Sequence, residues 1–131
     1  MKQGGCYCDA VRYEVEGPYP TTHCHCLHCR KLSGAPFITW IEVKASGFRF
    51  TQGEPVRFEV RDGVERSFCG ACGSPLTYQN RALGDSIDLT AGTLDDPSDL
   101  EPRDHVWFER HLSWADVGPD LPRFQRGRRD A

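Results

Sequence analysis

The chain has 131 residues, of which 38% are hydrophobic and 27% are charged, and its formal net charge at pH 7 is −3. This length suits one domain with a modest core, so we expect a single domain over residues 1–131. The acidic balance argues against a nucleic-acid partner, and no apolar stretch approaches the ~18 residues that a membrane-spanning helix needs. We therefore expect neither nucleic acid nor membrane among the partners.

The beginning of the chain, Met1-Lys2-Gln3-Gly4-Gly5, lacks the apolar run of a signal peptide or a membrane anchor. We therefore expect a cytoplasmic protein with reduced cysteines, and in that compartment closely spaced cysteines more often bind metal than form disulfides. The cysteine count is seven, and an odd number also argues against complete disulfide pairing.

Strand patterns dominate the chain, and glycine and proline separate them. Residues 11–15 alternate apolar and polar side chains, as a half-buried strand does. Similar short patterns predict strands at 36–43, 48–51, 56–60, 65–69, 76–79, 86–94 and 105–109. Asp62-Gly63 is a favourable hairpin turn. These patterns predict an all-β, mainly antiparallel fold, a sandwich or barrel with little helix.

Helix signals are weak and the end of the chain is strongly basic. A short helix is predicted to begin near residues 96–98, where Pro97 suits an early helical position, and a helical turn is predicted at 30–32. The cysteines just before residue 30 are expected in irregular chain. Residues 123–129 contain four arginines and are expected to form a frayed, solvent-exposed tail, with an interaction arm as the alternative.

The seven cysteines fall into three closely spaced groups: Cys6 and Cys8; Cys24, Cys26 and Cys29; Cys69 and Cys72. The last pair has the spacing of a zinc knuckle, in which two thiolates grip one ion from a tight turn and flanking glycines permit positive φ. Tetrahedral zinc takes four thiolates, and the first pair is the natural source of the other two. We expect a structural zinc there rather than buried free thiols. A redox dithiol is disfavoured because no βαβ pattern surrounds the knuckle.

The middle group would supply three thiolates to a second zinc. Three protein ligands and one further position make up the ligand count of a catalytic zinc. A neighbouring histidine could instead close the site as Cys₃His, which would make it structural, and a group without metal is the third possibility. The histidines within reach in sequence are His23, His25 and His28.

In its sequence context this cysteine pattern resembles the GFA family, named for the glutathione-dependent formaldehyde-activating enzyme. The resemblance spans nearly the whole chain. The matching segments are Gly5-Cys6-Tyr7-Cys8 leading into Val11-Arg12-Tyr13-Glu14, Cys24-His25-Cys26-Leu27-His28-Cys29-Arg30-Lys31-Leu32-Ser33-Gly34-Ala35, Phe68-Cys69-Gly70-Ala71-Cys72-Gly73, Ala91-Gly92-Thr93-Leu94-Asp95 with His105-Val106-Trp107, and Trp114 followed by Leu121-Pro122. Asp9 departs from the family pattern, which usually has glycine after the second cysteine. That costs backbone freedom in the turn but removes no ligand.

The resemblance implies an Mss4-like fold, a complex β-sandwich held together by zinc. It also implies two zinc ions, a structural one on Cys6, Cys8, Cys69 and Cys72 and a second one on Cys24, Cys26 and Cys29. In the enzyme that names the family, the second zinc is linked to glutathione and formaldehyde chemistry. We therefore expect a carbon–sulfur lyase with these three cysteines as catalytic ligands, which reversibly adds a small thiol such as glutathione to an aldehyde such as formaldehyde to give an S-hydroxymethyl adduct.

Other polar and aromatic residues carry weaker expectations. Arg30 and Lys31 could bind the carboxylates of an anionic thiol such as glutathione, with solvated surface charge as the alternative. His105 could relay a proton or could be a packed, hydrogen-bonded structural residue. The three tryptophans are expected mainly in the core, with the wall of a pocket as the alternative: Trp40, Trp107 and Trp114.

Two non-catalytic functions fit the same pattern. The chain could be a zinc-stabilised binding or adaptor module whose second site is closed. It could also be a zinc–thiolate redox sensor, in which oxidation of the middle cysteine group releases the metal.

Overall fold

The structure is a computed structural model that describes residues 1–130. The strands in this part of the chain are β1 (Lys2–Gly5), β2 (Arg12–Val15), β3 (Thr21–Cys24), β4 (Ile38–Val43), β5 (Phe48–Gln52), β6 (Val56–Arg61), β7 (Val64–Phe68), β8 (Pro75–Asn80), β9 (Ile87–Thr90) and β10 (Pro102–Val106). The α-helix is α1 (Leu27–Ser33). The 3₁₀ helices are Ala45–Gly47, Arg81–Leu83, Ala91–Thr93, Phe108–Arg110, Ser113–Ala115 and Arg128–Asp130. The all-β, mainly antiparallel class with little helix is confirmed.

The chain divides into two compact units. The first unit comprises Met1–Tyr19 and Ile41–Leu100, and the second comprises Pro20–Trp40 and Glu101–Ala131. The boundary between the units falls within strand β4: its residues up to Trp40 belong to the second unit, and those from Ile41 belong to the first. Ala131 lies outside the described residues, and the single domain over 1–131 stays a prediction.

In the first unit, two sets of antiparallel strands surround an apolar core. Strand β2 lies between β1 and β5, and a second set runs in the order β9, β8, β7, β6. Alternation along β2 buries Tyr13 and Val15 completely, and they join Ile41, Leu76 and Leu89 in the core. Each such side chain contributes roughly 2 kcal/mol by leaving water. The hydroxyl of Tyr13 lies 2.8 Å from that of Thr93, so its polar end is also satisfied.

In the second unit, β10 runs parallel to β3, with His105 opposite His23 and Val106 opposite Cys24. Helix α1 follows β3 almost at once. Cys26 is its N-cap in extended conformation, and Gly34 ends it at φ 73°, a left-handed conformation that glycine adopts without strain.

The end of the chain also belongs to the second unit and corrects the expected frayed tail. Backbone N–H groups of Trp107 and Phe108 donate to the carbonyls of Arg126 and Phe124, each at 2.9 Å. The guanidinium of Arg128 forms two hydrogen bonds of 2.6 and 2.9 Å to the buried carboxylate of Asp104. Arginine pairs well with a carboxylate in this forked geometry, so the basic segment is bound to β10 rather than free.

Several sequence expectations on individual elements were wrong. Strands β1 and β3 were missed, and the middle cysteines lie at the end of β3 and in α1 rather than in irregular chain. The helix at 30–32 is confirmed but begins earlier, at Leu27, whereas residues 96–98 are not helical. The predicted strand at 86–94 ends at Thr90, and the strand at 105–109 ends at Val106, because Trp107 takes a left-handed backbone with φ 54°.

None of the helices in the described part of the chain has the length and apolar character required to cross a membrane.

Candidate metal centres

The first cysteine group lies in the first unit, where two turns bring four sulfur atoms together. Cys6 and Cys8 follow β1, while Cys69 follows β7 and Cys72 precedes β8. All four thiols are free, and their Sγ atoms lie within 4.8 Å of one another. The Sγ of Cys8 lies 3.6 Å from that of Cys6 and 3.8 Å from that of Cys69. The structure thus gathers the four cysteines that the sequence pairs suggested.

Backbone conformation directs these sulfurs inward. Gly73 has φ 82° and donates its N–H to the carbonyl of Cys69 at 2.8 Å, which closes the knuckle turn. In the other turn Asp9 has φ 65°, a left-handed conformation that glycine would adopt without strain. The N–H of Val11 donates to the Sγ of Cys6 at 3.3 Å, a contact that favours the thiolate.

Ser74 connects the two turns. Its hydroxyl accepts a hydrogen bond from the N–H of Tyr7 at 3.0 Å and lies 3.2 Å from the Sγ of Cys72. Hydrogen bonds from the Ser74 hydroxyl and backbone lower the pKa of Cys72 to about 5. A hydrogen bond from the Ala10 backbone favours the Cys8 thiolate. Contact with the other three sulfurs, of which Cys6 has the largest effect, nevertheless raises the pKa of Cys8 to about 12. Without a cation, these sulfurs cannot all ionise together.

This donor set fits zinc. Zinc–sulfur bonds of about 2.3 Å in a tetrahedron place the sulfurs about 3.8 Å apart. The sulfur–sulfur distances of 3.6 and 3.8 Å from Cys8 match that spacing, and the other pairs lie within 4.8 Å. A divalent cation would also remove the repulsion that separates the pKa values of Cys8 and Cys72. The four-cysteine group could therefore hold a metal ion, with all four positions filled by protein.

The second cysteine group lies in the second unit, at the junction of β3 and α1. Cys24 is the last residue of β3, Cys26 caps α1 and Cys29 lies in its first turn. The Sγ of Cys29 lies 3.1 Å from that of Cys26 and 3.5 Å from that of Cys24. Cys24 and Cys29 are buried, whereas Cys26 is partly exposed. The structure therefore brings these three predicted residues together as well.

Two N–H groups point at these sulfurs. The backbone N–H of Cys29 donates to the Sγ of Cys26 at 3.2 Å, and the indole N–H of Trp40 donates to the Sγ of Cys29 at 3.4 Å. Both contacts stabilise negative sulfur. The neighbouring sulfurs of Cys26 and Cys29, together with burial, nevertheless raise the pKa of Cys24 well above its ordinary value. A bound cation would reverse that shift, so three thiolates suit zinc by their chemistry, although the sulfur–sulfur distances of 3.1 and 3.5 Å are shorter than the spacing of about 3.8 Å in a zinc tetrahedron.

The neighbouring histidines do not complete this group. The Nδ1 of His23 lies 2.7 Å from the hydroxyl of Thr39, and the Nε2 of His25 lies 2.8 Å from the Nδ1 of His105. His28 is exposed. Within residues 1–130, no histidine nitrogen joins the three sulfurs within 4.8 Å. Among these residues the group consists of three sulfurs.

Arg30 and Lys31 follow Cys29 on α1 and remain uncompensated. Neither forms an ion pair with any residue that the structure describes. The second unit contains eight Lys or Arg and six Asp or Glu, so its formal charge is +2. The first unit contains eight Lys or Arg and thirteen Asp or Glu, so its formal charge is −5. The three-cysteine group thus lies in the more positive unit.

The remaining candidates have different environments. His105 is fully buried and hydrogen-bonded to His25 and to the carbonyl of Gly118, as expected of a packed structural residue. Trp40 is buried and Trp107 half-buried, but Trp114 is 74% exposed, so its assignment to the core was wrong. Sequence reasoning missed the contacts of Trp40 and Ser74 with sulfur. Ser74 lies just after the knuckle and could have been found from position alone, whereas nothing local connects Trp40 to Cys29.

Comparison with known proteins identifies the family. The family model described as "Glutathione-dependent formaldehyde-activating enzyme" matches residues 1–110, a range that includes all seven cysteines. The chain belongs to this GFA family. A GFA relative from Halomonas elongata, named "Putative glutathione-dependent formaldehyde-activating enzyme", is 27% identical over 130 residues, which cover 89% of this chain and 81% of the relative.

A solved structure supports the fold. The crystal structure of a Rhodobacter sphaeroides protein superimposes with a TM-score of 0.63 at 20% sequence identity and covers 92% of this chain and 98% of its own. The similarity therefore extends over almost the entire fold of both proteins.

Proposed function

We propose that this GFA member is a zinc-dependent carbon–sulfur lyase. It would add a small thiol such as glutathione to an aldehyde such as formaldehyde, reversibly, and give an S-hydroxymethyl adduct. The observation that carries the proposal is the three-cysteine group, in which no histidine of the described residues supplies a fourth ligand. A metal bound by three protein ligands keeps a position for a substrate, as catalytic zinc does.

The two cysteine groups would hold one zinc ion each. In the four-cysteine group every ligand comes from the protein, which suits a structural ion. In the three-cysteine group, a bound zinc would supply positive charge that keeps a small thiol deprotonated near neutral pH. Both roles need reduced cysteines, so the proposal includes a reducing compartment such as the cytoplasm.

The reaction itself requires one bond to form and one proton to move. The thiol sulfur bonds to the aldehyde carbon, and the proton that the sulfur loses ends on the former carbonyl oxygen. In the reverse direction the carbon–sulfur bond breaks and the aldehyde is released. The chain contributes by ordering its three sulfurs: Cys26 is fixed by the helix cap, and Cys29 by the indole N–H of Trp40.

Arg30 and Lys31 would attract the thiol substrate. Glutathione carries two carboxylates and is anionic, and an unpaired guanidinium and ammonium can each bind a carboxylate. Neither residue is held by an acidic side chain of the described residues, and the unit that contains them has a formal charge of +2. These two features support a substrate-binding role, since charges already in ion pairs would first have to be released.

The decisive experiment is exchange NMR of formaldehyde with glutathione. The uncatalysed addition is fast, so four samples are compared: buffer, buffer with free Zn²⁺ at the protein concentration, wild type, and Cys29→Ser. Circular dichroism and the zinc content of the four-cysteine group establish that the variant is folded. We expect faster exchange only with wild type. Equal exchange rates in all four samples would overturn the lyase proposal.

The adaptor alternative depends on a closed second site. The positions of His23 and His25 argue against it, because each has a ring nitrogen engaged by another side chain. A closed structural site would hold zinc against millimolar glutathione. We expect instead that glutathione perturbs the metal of the three-cysteine group, which the absorption spectrum of a Co²⁺-substituted protein would report.

A further inference from the structure

A chain of hydrogen bonds inside the second unit ends at the residue between two of the candidate ligands. The Nε2 of His105 lies 3.2 Å from the carbonyl oxygen of Gly118. The Nδ1 of His105 lies 2.8 Å from the Nε2 of His25. His25 is 1% exposed and His105 is 0% exposed. In sequence, His25 stands between Cys24 and Cys26.

The chemistry of the three groups sets the direction of this chain. A carbonyl oxygen only accepts hydrogen bonds, so His105 donates from Nε2 to Gly118. A neutral imidazole has one N–H and one lone pair, which leaves the Nδ1 of His105 as an acceptor. His25 therefore donates from its Nε2. The Gly118 carbonyl thus selects one tautomer for each ring and one orientation for His25.

The backbone and the ring of His25 are fixed independently. The backbone N–H of His25 donates to the carbonyl of Val106, the last residue of β10, at 3.0 Å. Its ring centroid lies 5.0 Å from that of Phe37 and 5.4 Å from that of Phe108. With the Nε2 hydrogen bond added, the ring has little freedom to rotate.

Gly118 is suited to its place at the end of this chain. It has φ 56°, a left-handed conformation that favours glycine. A Cβ added there would lie 2.7 Å from the Cδ1 of Leu121, so a larger residue would displace the segment that carries the carbonyl. The acceptor for His105 therefore depends on glycine at this position.

We infer that His105 is a positioning residue for the three-cysteine group: through His25 it fixes the segment that carries the sulfurs of Cys24 and Cys26. This inference rests on the proposed function and adds to it residues that touch neither metal nor substrate. A chelating group ordered before metal arrives loses less conformational entropy on binding. Outer residues that orient metal ligands change metal affinity by roughly 10–100-fold. We expect loss of the hydrogen bonds between Gly118, His105 and His25 to lower the metal affinity of the three-cysteine group on the order of tenfold. This is the lower end of that range, because His105 acts on the ligands only through His25.

Titration of the metal-free protein with Co²⁺ tests this inference without measuring activity. Three-thiolate and four-thiolate cobalt sites differ in the energy and intensity of their visible bands, so each group is followed separately. The variants are His105→Phe, which keeps a ring but loses both hydrogen bonds, and His105→Asn, whose side-chain oxygen can replace Nδ1 as the acceptor for His25. His111→Phe is the matched control. His111 stacks on Phe108, which also packs against His25, but His111 takes no part in the hydrogen bonds that link Gly118, His105 and His25.

We expect His105→Phe to weaken cobalt binding at the three-cysteine group about tenfold, and His105→Asn to recover much of that loss. Affinity at the four-cysteine group should not change in either variant, and His111→Phe should match wild type. His25→Phe should weaken cobalt binding about as much as His105→Phe does. The double variant should bind cobalt little more weakly than either single variant, since both substitutions break the same hydrogen bond.

Three results would overturn the inference. Unchanged affinity of the three-cysteine group in His105→Phe would do so, as would an equal loss at both groups, which would indicate a general effect on folding. Additive losses in the double variant would show that the two histidines act separately. If wild type binds only one cobalt ion, in the four-cysteine group, the proposed function itself fails, and this outcome is distinct from the other three.

Discussion

At the scale of single residues, the turn beside the four-cysteine group contains a residue in a strained backbone conformation. Asp9 adopts φ 65° in the turn after Cys8, and apart from Trp107 no other non-glycine residue among 1–130 has a positive φ. Left-handed conformation costs a non-glycine residue about 1–2 kcal/mol, and less for aspartate, whose short polar side chain tolerates it. Glycine would adopt this conformation without strain, which agrees with the expectation that Asp9 stands where the family pattern has glycine.

Asp9→Gly should therefore stabilise the protein by about 0.5 kcal/mol, because relief of strain slightly exceeds the greater chain entropy of unfolded glycine. Its weak ion pair with Arg12, 3.6 Å long and exposed, takes little from this gain. Urea unfolding at pH 7 with zinc present measures the change. Asp62→Gly, in the exposed β6–β7 turn, is the control, since Asp62 has no positive φ. A destabilised Asp9→Gly protein would contradict the strain argument.

At the scale of elements, the carboxyl-terminal segment holds β10 through a buried ion pair. The Asp104 side chain is 5% exposed and accepts two hydrogen bonds from Arg128 and one from the hydroxyl of Thr22. Burial by itself raises the pKa of Asp104, but Arg128 and Thr22 outweigh burial and hold that pKa below its ordinary value. The arginine thus has a structural role that its position in a basic tail conceals.

Arg128→Ala should cost about 2–3 kcal/mol at pH 7, because it leaves a buried carboxylate without its main partner. The folded-state pKa of Asp104 is lowered, so the stabilisation is present above the unfolded pKa of about 4 and is lost as the pH falls through the folded value. The difference between wild type and variant should therefore shrink as the pH of urea unfolding is lowered from 7, followed down to the pH at which the cysteine groups release their metal. Arg129→Ala is the control, since Arg129 is exposed and has no ion pair with the described residues. Equal effects of the two substitutions would contradict this role for Arg128.

At the scale of the whole molecule, the two cysteine groups should contribute differently to folding. The four-cysteine group joins segments that are 61 residues apart between Cys8 and Cys69, so a metal there closes a long loop. The three-cysteine group joins residues only five apart and constrains little chain.

Cys69→Ser should therefore lower the thermal midpoint strongly or prevent folding, whereas Cys29→Ser should leave a folded protein with a modestly lower midpoint. Circular dichroism melts with and without a zinc chelator measure both. Chelation should bring wild type close to the behaviour of Cys69→Ser. If both substitutions destabilise equally, the division into a structural and a catalytic group is wrong.

Charge is distributed unevenly between the units, and this predicts substrate selectivity. The residues of the second unit carry a formal +2 against −5 for the first, and Arg30 and Lys31 are among its unpaired cations. An anionic thiol should gain from these charges and a neutral thiol should not.

Arg30→Ala combined with Lys31→Ala should raise the glutathione concentration needed for half-maximal acceleration several-fold and leave acceleration with neutral 2-mercaptoethanol unchanged. The matched control is Arg110→Ala with Arg129→Ala, which removes the same charge from two exposed positions elsewhere in the same unit. Exchange NMR with each thiol gives the comparison. Equal effects of the two double variants on glutathione would assign the role to net charge rather than to these residues.

The sequence by itself determined the β class, most strands of the first unit and the grouping of the cysteines. These features are local: alternation of apolar residues, turn residues such as Asp62-Gly63, and close cysteine spacing are all contained within a few positions. Strand β1 escaped prediction because Gly4 and Gly5 supply no side-chain pattern, although β1 pairs with β2 over its full length. Strand β3 escaped because its polar residues are buried by partners distant in sequence.

Only the tertiary structure decided which atoms meet across long separations. It brought Trp40 to Cys29, Arg128 to Asp104, and Gly118 through His105 to His25. It also excluded the neighbouring histidines from the three-sulfur group among the described residues. The physical reason is that a hydrogen bond or a metal ligand depends on position within a few tenths of an ångström. Sequence spacing supplies such precision within a turn, whereas across the 11 to 80 residues that separate these partners only the packed elements supply it.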